Sequence, residues 1–537
     1  MKQNYRTLLI LEALFVLLMS LPWLVPHLGC LALVGFVPLL CAERIASMTG
    51  VKRFWIWHFA AFAAWNFATT FWVCNATVGG GIAAALINAL QMSLVFGLFR
   101  FSKRRLGGIV PYLLLAAAWI AWERFYLTSA QISWPWLVLG NAFARSTHSI
   151  QWYEYTGTLG GSLWVWAVNL SLFGLMVALS DGRTRTWNAK ARAAALLGFT
   201  LVTAGPFIAS KVIYDNYEEV SEGTVDVLVA QPDFDPYEKF ESLTQQQQTG
   251  ILLGQFETES LKDGDPRLYL APETFTSDLI LNDIESGRTF RSFRDFLKKH
   301  PQSDLIFGAS AYEYFFQRSA PSKLAREIRE GVWVESHNSA VVTDSSGRAE
   351  WFHKSKLVPA VEMTPYPGLF VPIDNLLGGV MGRCVGQDEV RALRLSDGTP
   401  VGCAVCYESV YGEYCTGYVR DGATMMTVIT NDAWWGDTPG YRQHLSYSSL
   451  RAIELRRDIA RCANTGISCF IDQKGNVYNE TQWWERQTTR AQVNLNSAQT
   501  FFVRHGDVVG RVCVLIFLLL ACLVVVRTAS DLIRPGK

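Results

Sequence analysis

Three residues whose side chains can cooperate in nucleophilic catalysis stand near the ends of short apolar runs. Cys406 directly follows the run 401–405, Glu273 closely follows the run 268–270, and Lys354 lies between them in the sequence. A thiol becomes a strong nucleophile when a base or a nearby cation helps it to lose its proton. A cysteine, a glutamate and a lysine at the ends of predicted strands therefore indicate covalent catalysis by the cysteine. The spacing leaves their convergence open, because a glutamate after proline is commonly a surface turn and a lysine is commonly solvated.

Cys403 and Cys406 also have the CxxC spacing that is typical of redox and zinc sites. Residues three apart on a strand point to opposite faces and lie about 10 Å apart, whereas a disulfide needs Cα atoms within about 7 Å. The sequence has no second CxxC pair and no paired histidines to complete a zinc site. The pattern favours one nucleophilic cysteine, and the sequence indicates neither a metal nor an organic cofactor.

The composition indicates that much of the chain lies in lipid. Half of the 537 residues are hydrophobic and only 18% are charged, against about 25% in a soluble domain. Lys+Arg (48) and Asp+Glu (47) nearly cancel, which argues against a nucleic-acid-binding surface. A spanning helix needs about 20 mostly apolar residues. Eight stretches meet this requirement: 7–25, 28–46, 54–74, 81–100, 109–127, 162–180, 193–212 and 510–527.

The distribution of Lys and Arg predicts how these spans are oriented. With the N-terminus inside, the inner segments hold 16 of these residues. The short outer connections near 26, 75–80 and 128–161 hold only Arg145, with Arg124 at the edge of a span. Cytoplasmic connections carry such an excess. We therefore expect a transmembrane domain of seven helices over 1–213, an extracytoplasmic catalytic domain over 214–507, and an eighth helix with a cytoplasmic tail over 508–537.

The segment 214–506 has the pattern of an α/β domain. Short β-branched runs such as 225–229, 401–405 and 426–429 alternate with polar or helical stretches. Two apolar segments rich in Gly and Pro, 363–372 and 376–381, are predicted to be loops. They either pack on their own domain or form a mobile lid that admits an acyl chain and excludes water.

The motifs around these residues resemble those of a known superfamily. The segments Ala271–Thr274, His353–Pro359 and Cys406–Glu408 are similar, in order and spacing, to the Glu, Lys and Cys motifs of the nitrilase, or carbon–nitrogen hydrolase, superfamily. Three further blocks look like its downstream signature: Thr430–Asp437 with His444, Arg451–Leu455, and Asn464–Gly466. With the eight spans, the chain as a whole is similar to the bacterial apolipoprotein N-acyltransferase family. Two positions depart from the family pattern, because Val361 replaces a glycine and Phe240 replaces a tryptophan.

The resemblance implies a fold and a role for each site residue. The outer domain is expected to be a nitrilase-like αββα sandwich. Glu273 would be the general base, and Lys354 a fixed cation that stabilises the thiolate and the oxyanion. Glu362 would orient these groups, and Phe240 would supply an aromatic contact.

Tyr407 and Glu408 are carried over from the same resemblance as supporting residues. Each also has a structural interpretation. Tyr407 would then pack beneath the site, and Glu408 would form an ion pair with Arg456 or Arg457.

The reaction implied by the resemblance is a ping-pong acyl transfer in the bacterial inner membrane, catalysed on the periplasmic side. Cys406 would take an acyl chain from a membrane phospholipid as a thioester and pass it to the α-amine of a diacylglyceryl-cysteine at the N-terminus of a lipoprotein. The expected partners are the phospholipid, the apolipoprotein and the bilayer, with no nucleic acid, and the expected state is a monomer. Two alternatives remain: a membrane-tethered amidase that hydrolyses C–N bonds, and a transporter or scaffold, which few intramembrane charges support.

Overall fold

The computed structural model describes residues 2–235 and 243–533. Contacts between Cα atoms divide the chain into two compact units. The first unit consists of Met1–Ala130, Trp134–Tyr217 and His505–Lys537. The second consists of Gln131–Ser133 and Glu218–Arg504, and it contains all the candidate catalytic residues.

The first unit is helical, and helices occupy each of the eight stretches predicted as spans. Two of them, Phe54–Thr70 and Val110–Thr128, are 17 and 19 residues long. Within the described residues, six segments are long and apolar enough to cross a membrane: Asn4–Leu24, Gly29–Thr49, Val78–Lys103, Thr158–Ser180, Ala189–Asn216 and Val508–Asp531. The chain is therefore a multi-pass membrane protein, and the count of eight spans stays a prediction.

One break in the helices of the first unit has its backbone polar groups satisfied by a buried side chain, as a membrane interior requires. The second predicted span is interrupted at Phe36, between the helices Ala32–Gly35 and Val37–Thr49. There the side chain of Asn169 accepts a hydrogen bond from the Phe36 N–H and donates one to the Ala32 carbonyl, both at 2.8 Å. The break is thus bridged by a buried amide rather than left open to lipid.

The second unit contains fourteen strands in two sheets within the described residues. The eight-stranded sheet has the order β14-β1-β2-β4-β6-β5, with β3 beside β4 and β7 beside β6, and the six-stranded sheet has the order β13-β12-β11-β10-β9-β8. The strands are β1 Thr224–Gln231, β2 Leu268–Leu270, β3 Thr276–Ile280, β4 Asp304–Phe316, β5 Arg326–Arg329, β6 Val332–Thr343, β7 Ala349–His353, β8 Leu393–Arg394, β9 Pro400–Val405, β10 Met425–Thr430, β11 Ile459–Ala463, β12 Cys469–Ile471, β13 Val477–Tyr478 and β14 Gln487–Asn494.

Successive side chains of the central strands point to opposite faces of the sheet, and this explains how the two sheets pack. In β1 and β2, Val227, Val229 and Leu268 join the core shared with β9–β12, whereas Leu228 and Tyr269 face the opposite side. A side-chain period of two places alternate residues on opposite faces. One face therefore packs on the second sheet and the other is covered by helices.

Helices cover both outer faces and complete an α/β unit of four layers. Arg288–Leu297 packs on the first sheet because Phe290, Phe293 and Leu297 recur at helical spacing and are buried. Gln245–Asp263 lies on the same face and begins with a capping box between Thr244 and Gln247. Gly412–Arg420 and Pro439–Leu455 pack on the second sheet.

Candidate active site

The three predicted catalytic residues lie at or just beyond the carboxyl ends of three strands. Glu273 follows β2, Lys354 directly follows β7, and Cys406 directly follows β9. Glu273 is 6% exposed and Lys354 is 1% exposed. This burial excludes the alternative that the two residues are solvated on the surface. Burial of both charges is tolerated only where they are paired.

Lys354 sits between two carboxylates. Its Nζ atom is 2.9 Å from Oε1 of Glu273 and 2.9 Å from Oε1 of Glu362. The side-chain amide of Asn338 donates to the same two oxygens at 2.8 Å each, and the Asn431 N–H donates to Oε2 of Glu273 at 3.2 Å. These five groups form a closed polar cluster in which one cation serves two carboxylates.

Asn338 was missed at the sequence level because no motif marks it. It lies in β6, which pairs antiparallel with β7. The Lys354 N–H donates to the Asn338 carbonyl at 2.8 Å, so the same hairpin positions both side chains. The turn signal at 344–347 predicts this hairpin, and the strand register would have placed Asn338 opposite Lys354.

The electrostatics of the cluster keep Lys354 charged and Cys406 neutral. Burial alone would lower the pKa of Lys354, but Glu273 and Glu362 raise it well above its usual range. Burial and the charge of Glu273 raise the pKa of the Cys406 thiol well above its usual range, and Lys354 opposes that rise. The resting nucleophile is therefore a thiol whose proton must be taken by a base.

The backbone of Cys406 is held in an uncommon conformation. Its φ is +52°, in the left-handed region that costs a side-chain-bearing residue roughly 1–3 kcal/mol. The residue begins a 3₁₀ turn, Cys406–Val410, directly after the strand. The Ser409 hydroxyl donates to the Cys406 carbonyl at 2.7 Å and helps to close this turn. Strain of this kind aims a side chain that a regular strand or helix would place differently.

Glu362 is fixed by its own loop. The Val358 N–H donates to Oε2 of Glu362 at 2.7 Å, while Oε1 faces Lys354. Val361, which replaces the family's glycine, is 59% exposed. The larger residue points outward, so the substitution leaves the position of Glu362 intact.

Glu408 has different partners from those predicted. Its two oxygens accept hydrogen bonds from the backbone N–H groups of Val405 (2.8 Å) and Ser355 (2.7 Å), and from two tyrosine hydroxyls. Arg456 and Arg457 instead donate to backbone carbonyls. The predicted ion pair of Glu408 with Arg456 or Arg457 is therefore wrong. Glu408 instead connects the segment after Lys354 to the strand before Cys406.

Tyr407 is buried beside the nucleophile and packs edge-to-face on Tyr411, with ring centroids 5.2 Å apart. Its hydroxyl donates to the Ser133 carbonyl at 3.2 Å. These contacts are those of a residue that packs beside the site, which is the structural interpretation given for Tyr407 above. Phe240 lies outside the described residues.

The segment 363–372 was predicted to be a loop, and this is wrong for most of its length. Pro367–Leu376 forms a helix that begins with Pro367, a residue that suits the first turn because its missing N–H has no partner there. The following segment is a loop, with Gly378 and Gly379 at positive φ. Leu376 is 87% exposed and Val380 76%, so this part of the unit presents apolar side chains to its surroundings.

Cys403 is a separate, buried thiol. It lies inside β9, forms no disulfide, and burial raises its pKa to about 12. Among the described residues, no group of three or more His, Cys, Asp or Glu side chains is placed to hold a metal ion. A redox or zinc role for the CxxC spacing has no support in this geometry.

Gly308 lies directly beneath Glu273, and replacing it with alanine should impair catalysis. A Cβ atom there would lie 2.5 Å from Cα of Glu273 and 2.6 Å from N of Thr274. Both are backbone atoms, so Glu273 must shift. We expect a loss of activity of about a hundredfold, the usual result of displacing a catalytic group by about 1 Å. Gly250→Ala is the matched control, because its Cβ would meet nothing within 4 Å. Equal activities for the two variants in an acyl-transfer assay would contradict this account.

Two family models match the chain: residues 16–171 match the apolipoprotein N-acyltransferase N-terminal domain, and residues 318–501 match the carbon–nitrogen hydrolase model. An apolipoprotein N-acyltransferase of Chlorobaculum tepidum is 29% identical over 94% of this chain and 93% of its own length. One of Geobacter metallireducens is 25% identical over 93% of this chain and 91% of its own length. Among solved structures, a nitrilase-superfamily protein of Saccharomyces cerevisiae covers 52% of this chain and 93% of its own, with 12% identity and a TM-score of 0.38.

The class of protein follows from these matches and from the geometry above. The second unit is an α/β domain of the carbon–nitrogen hydrolase type, carried in one chain with membrane helices. The two family models and the near-full-length relatives together confirm the predicted resemblance to apolipoprotein N-acyltransferases. Over nearly its whole length, the chain is similar to apolipoprotein N-acyltransferases.

Proposed function

We propose that this chain transfers a fatty acyl chain from a membrane phospholipid to the N-terminal diacylglyceryl-cysteine of lipoproteins. Its similarity to apolipoprotein N-acyltransferases supports lipoprotein N-acylation. The observation that carries the mechanism is the buried cluster of Glu273, Lys354 and Glu362, whose charges act on the Cys406 thiol. Both proposed substrates are anchored in a bilayer, and membrane helices in the same chain would keep the catalytic unit at that bilayer.

The first half-reaction acylates the enzyme. Glu273 takes the proton of the Cys406 thiol as the sulfur attacks the ester carbonyl of the phospholipid. Lys354 and the backbone N–H that follows Cys406 stabilise the oxyanion of the tetrahedral intermediate. The C–O bond to glycerol then breaks, the leaving oxygen takes the proton back from Glu273, and a lysophospholipid departs. We place the attacked ester at the sn-1 position.

The second half-reaction regenerates the thiol. The neutral α-amine of the diacylglyceryl-cysteine attacks the thioester, and Glu273 accepts a proton from the attacking nitrogen. The C–S bond breaks, the acyl chain leaves as an amide, and the sulfur recovers its proton from Glu273. A thioester suits this sequence because it reacts with amines yet persists when water is kept out.

Glu362 and Asn338 explain why the cluster has a second carboxylate. When Glu273 takes a proton it no longer balances Lys354, whose Nζ is equally close to Glu362. Glu362 therefore keeps the ammonium group charged and in place through both half-reactions. Asn338, which donates to both carboxylates, keeps their oxygens facing the lysine.

The proposed location is the bacterial inner membrane, with the catalytic unit on the periplasmic side. The inner segments of the predicted topology hold 16 Lys and Arg residues, which supports this side for the unit. The exposed apolar residues Leu376 and Val380 are proposed to meet lipid or to gate the site. The proposed working state is a monomer.

The amidase alternative is not favoured, because the family matches extend to the membrane helices, which hydrolysis of a soluble amide does not need. Mass spectrometry tests the proposal directly. Purified protein incubated with phospholipid micelles should gain one fatty-acyl mass on the peptide that contains Cys406, and a diacylglyceryl peptide should then remove it as an amide. An acyl group on Cys403 of the same peptide, or turnover of soluble amides without any adduct, would reject the proposal.

A further inference from the structure

A chain of hydrogen bonds behind the nucleophile runs through side chains that the mechanism above does not use. Thr430 lies beside Cys406, because Ile429 pairs with Val405 in the neighbouring strands β10 and β9, and its hydroxyl lowers the pKa of the thiol. The same hydroxyl donates to Oδ1 of Asp432 at 2.9 Å. That carboxylate oxygen is 2.9 Å from Nδ1 of His444, whose Nε2 is 3.1 Å from the Cys406 carbonyl oxygen. Thr430, Asp432 and His444 are completely buried.

His444 stands between Asp432 and the backbone of Cys406. Its Nδ1 faces the carboxylate and lies 3.3 Å from Arg461 Nη2, and its Nε2 faces the Cys406 carbonyl, an oxygen that can only accept hydrogen bonds. The Ser409 hydroxyl, 3.1 Å from Nε2, donates to the same carbonyl. A proton on Nε2 therefore lets His444 donate to the Cys406 carbonyl.

Asp432 is the anion at the centre of this arrangement. Its Oδ2 atom accepts from Arg461 at 2.6 Å, and its Oδ1 atom faces His444. Burial alone would raise the pKa of Asp432, but Arg461 and His444 lower it to about 2. The group therefore holds a buried ion pair behind the sulfur, on the strands β10 and β11 and the helix Pro439–Leu455.

Thr430 has one hydroxyl proton and two possible acceptors. While the sulfur is a thiol, the carboxylate of Asp432 is the stronger acceptor, as the 2.9 Å contact indicates. A thiolate competes for the same proton, and Asp432 can release it because Arg461 still donates to its other oxygen. A rotation about one side-chain bond is all that this exchange requires.

We propose that Thr430 and His444 are further active-site residues of the acyl transfer proposed above. Thr430 turns its hydroxyl from Asp432 to the Cys406 sulfur as the thiol loses its proton, and so stabilises the thiolate. His444 is a positioning residue. By donating to the Cys406 carbonyl, it holds the left-handed backbone that aims the sulfur.

Alkylation of Cys406 by iodoacetamide tests the role of Thr430 without any lipid. The reagent reacts with the thiolate, and mass spectrometry of the Cys406 peptide gives the rate as a function of pH. Thr430→Val removes the hydroxyl and keeps the branched shape. We expect its pH profile to move upward and its rate near neutral pH to fall about tenfold, the usual effect of a hydrogen bond to a charged group. Thr430→Ser keeps the hydroxyl and should retain the wild-type profile.

An unchanged alkylation profile in Thr430→Val would overturn the role of Thr430. If thermal unfolding shows that this variant does not fold, Thr430→Ala provides the same comparison with Thr430→Ser. Because the readout needs no phospholipid, its result is independent of the proposed function. A shifted profile in a protein that never acquires an acyl group would retain the thiolate contact and reject the acyl transfer.

A second pair of variants tests His444. His444→Gln keeps a donor group, and His444→Ala has none. We expect kcat to fall about tenfold or more in His444→Ala and by less in His444→Gln, with KM for the phospholipid unchanged, since the residue lies behind the nucleophile. A rise in KM at constant kcat, or equal kcat values for His444→Ala and the wild type, would overturn the positioning role.

Discussion

Replacing Cys406 with serine should abolish both acyl-enzyme formation and transfer, with a loss on the order of ten-thousandfold or more, as expected when a covalent nucleophile is removed. A serine hydroxyl is much harder to deprotonate than a thiol. The site already disfavours the charged nucleophile, since burial and Glu273 raise the pKa of the Cys406 thiol well above its usual range. A base that is adequate for sulfur would therefore fail for oxygen. The measurement is the release of lysophospholipid and the acylation of a diacylglyceryl peptide.

Cys403→Ala is the matched control for this variant. Cys403 lies three residues earlier in β9, is buried in the core shared by both sheets, and has no place in the proposed chemistry. Its replacement removes one small group, so we expect the control to keep most of its activity at a modest cost in stability. Activity above about a tenth of wild type in Cys406→Ser, with normal folding, would show that another residue is the nucleophile.

The central strands could be predicted from the sequence because each carries a local signal. The runs 225–229, 401–405 and 426–429 lie within β1, β9 and β10. A parallel strand buried on both faces reads as a continuous apolar run, and turn residues bound it. The turn signals at 344–347 and 472–476 likewise fall between paired strands.

Proline and glycine misled the prediction at 363–372. They commonly interrupt regular structure, but position within the element decides the outcome. Pro367 stands in the first turn of its helix, where a missing N–H costs nothing. Gly378 and Gly379, which stand after the last turn, adopt the positive φ values that end a helix.

The candidate site was predictable where a motif marks a residue and not where only pairing does. Glu273, Lys354 and Cys406 stand in recognisable segments, and the structure places the first two in direct contact. No motif marks Asn338, and only the register of the hairpin formed by β6 and β7 brings it opposite Lys354. The partners of Glu408 were likewise beyond the sequence, because Arg456 and Arg457 were predicted as its partners and the fold instead supplies backbone N–H groups and tyrosines.

Removing the ammonium group of Lys354 should be costly for both folding and catalysis. Lys354→Met keeps the length of the side chain but leaves Glu273 and Glu362 facing each other without a cation. Breaking a buried ion pair by deleting one partner typically costs about 3–5 kcal/mol of stability. Activity should fall by about a thousandfold, because a group that stabilises the oxyanion is lost together with the geometry of the base. Lys356→Met is the matched control, since Lys356 packs over the ring of Tyr411 instead of joining the cluster.

Two further measurements separate the loss of charge balance from the loss of catalysis. One of the two carboxylates in Lys354→Met must take up a proton to stay buried, so its unfolding temperature should fall as the pH rises from about 5 to about 8. Adding Glu362→Gln removes one of the opposed charges, and the double variant should regain most of the lost stability. It should stay inactive, because nothing replaces the ammonium group beside the oxyanion. If the double variant recovered activity together with stability, Lys354 would serve only to neutralise the carboxylates, and its proposed role in the chemistry would be wrong.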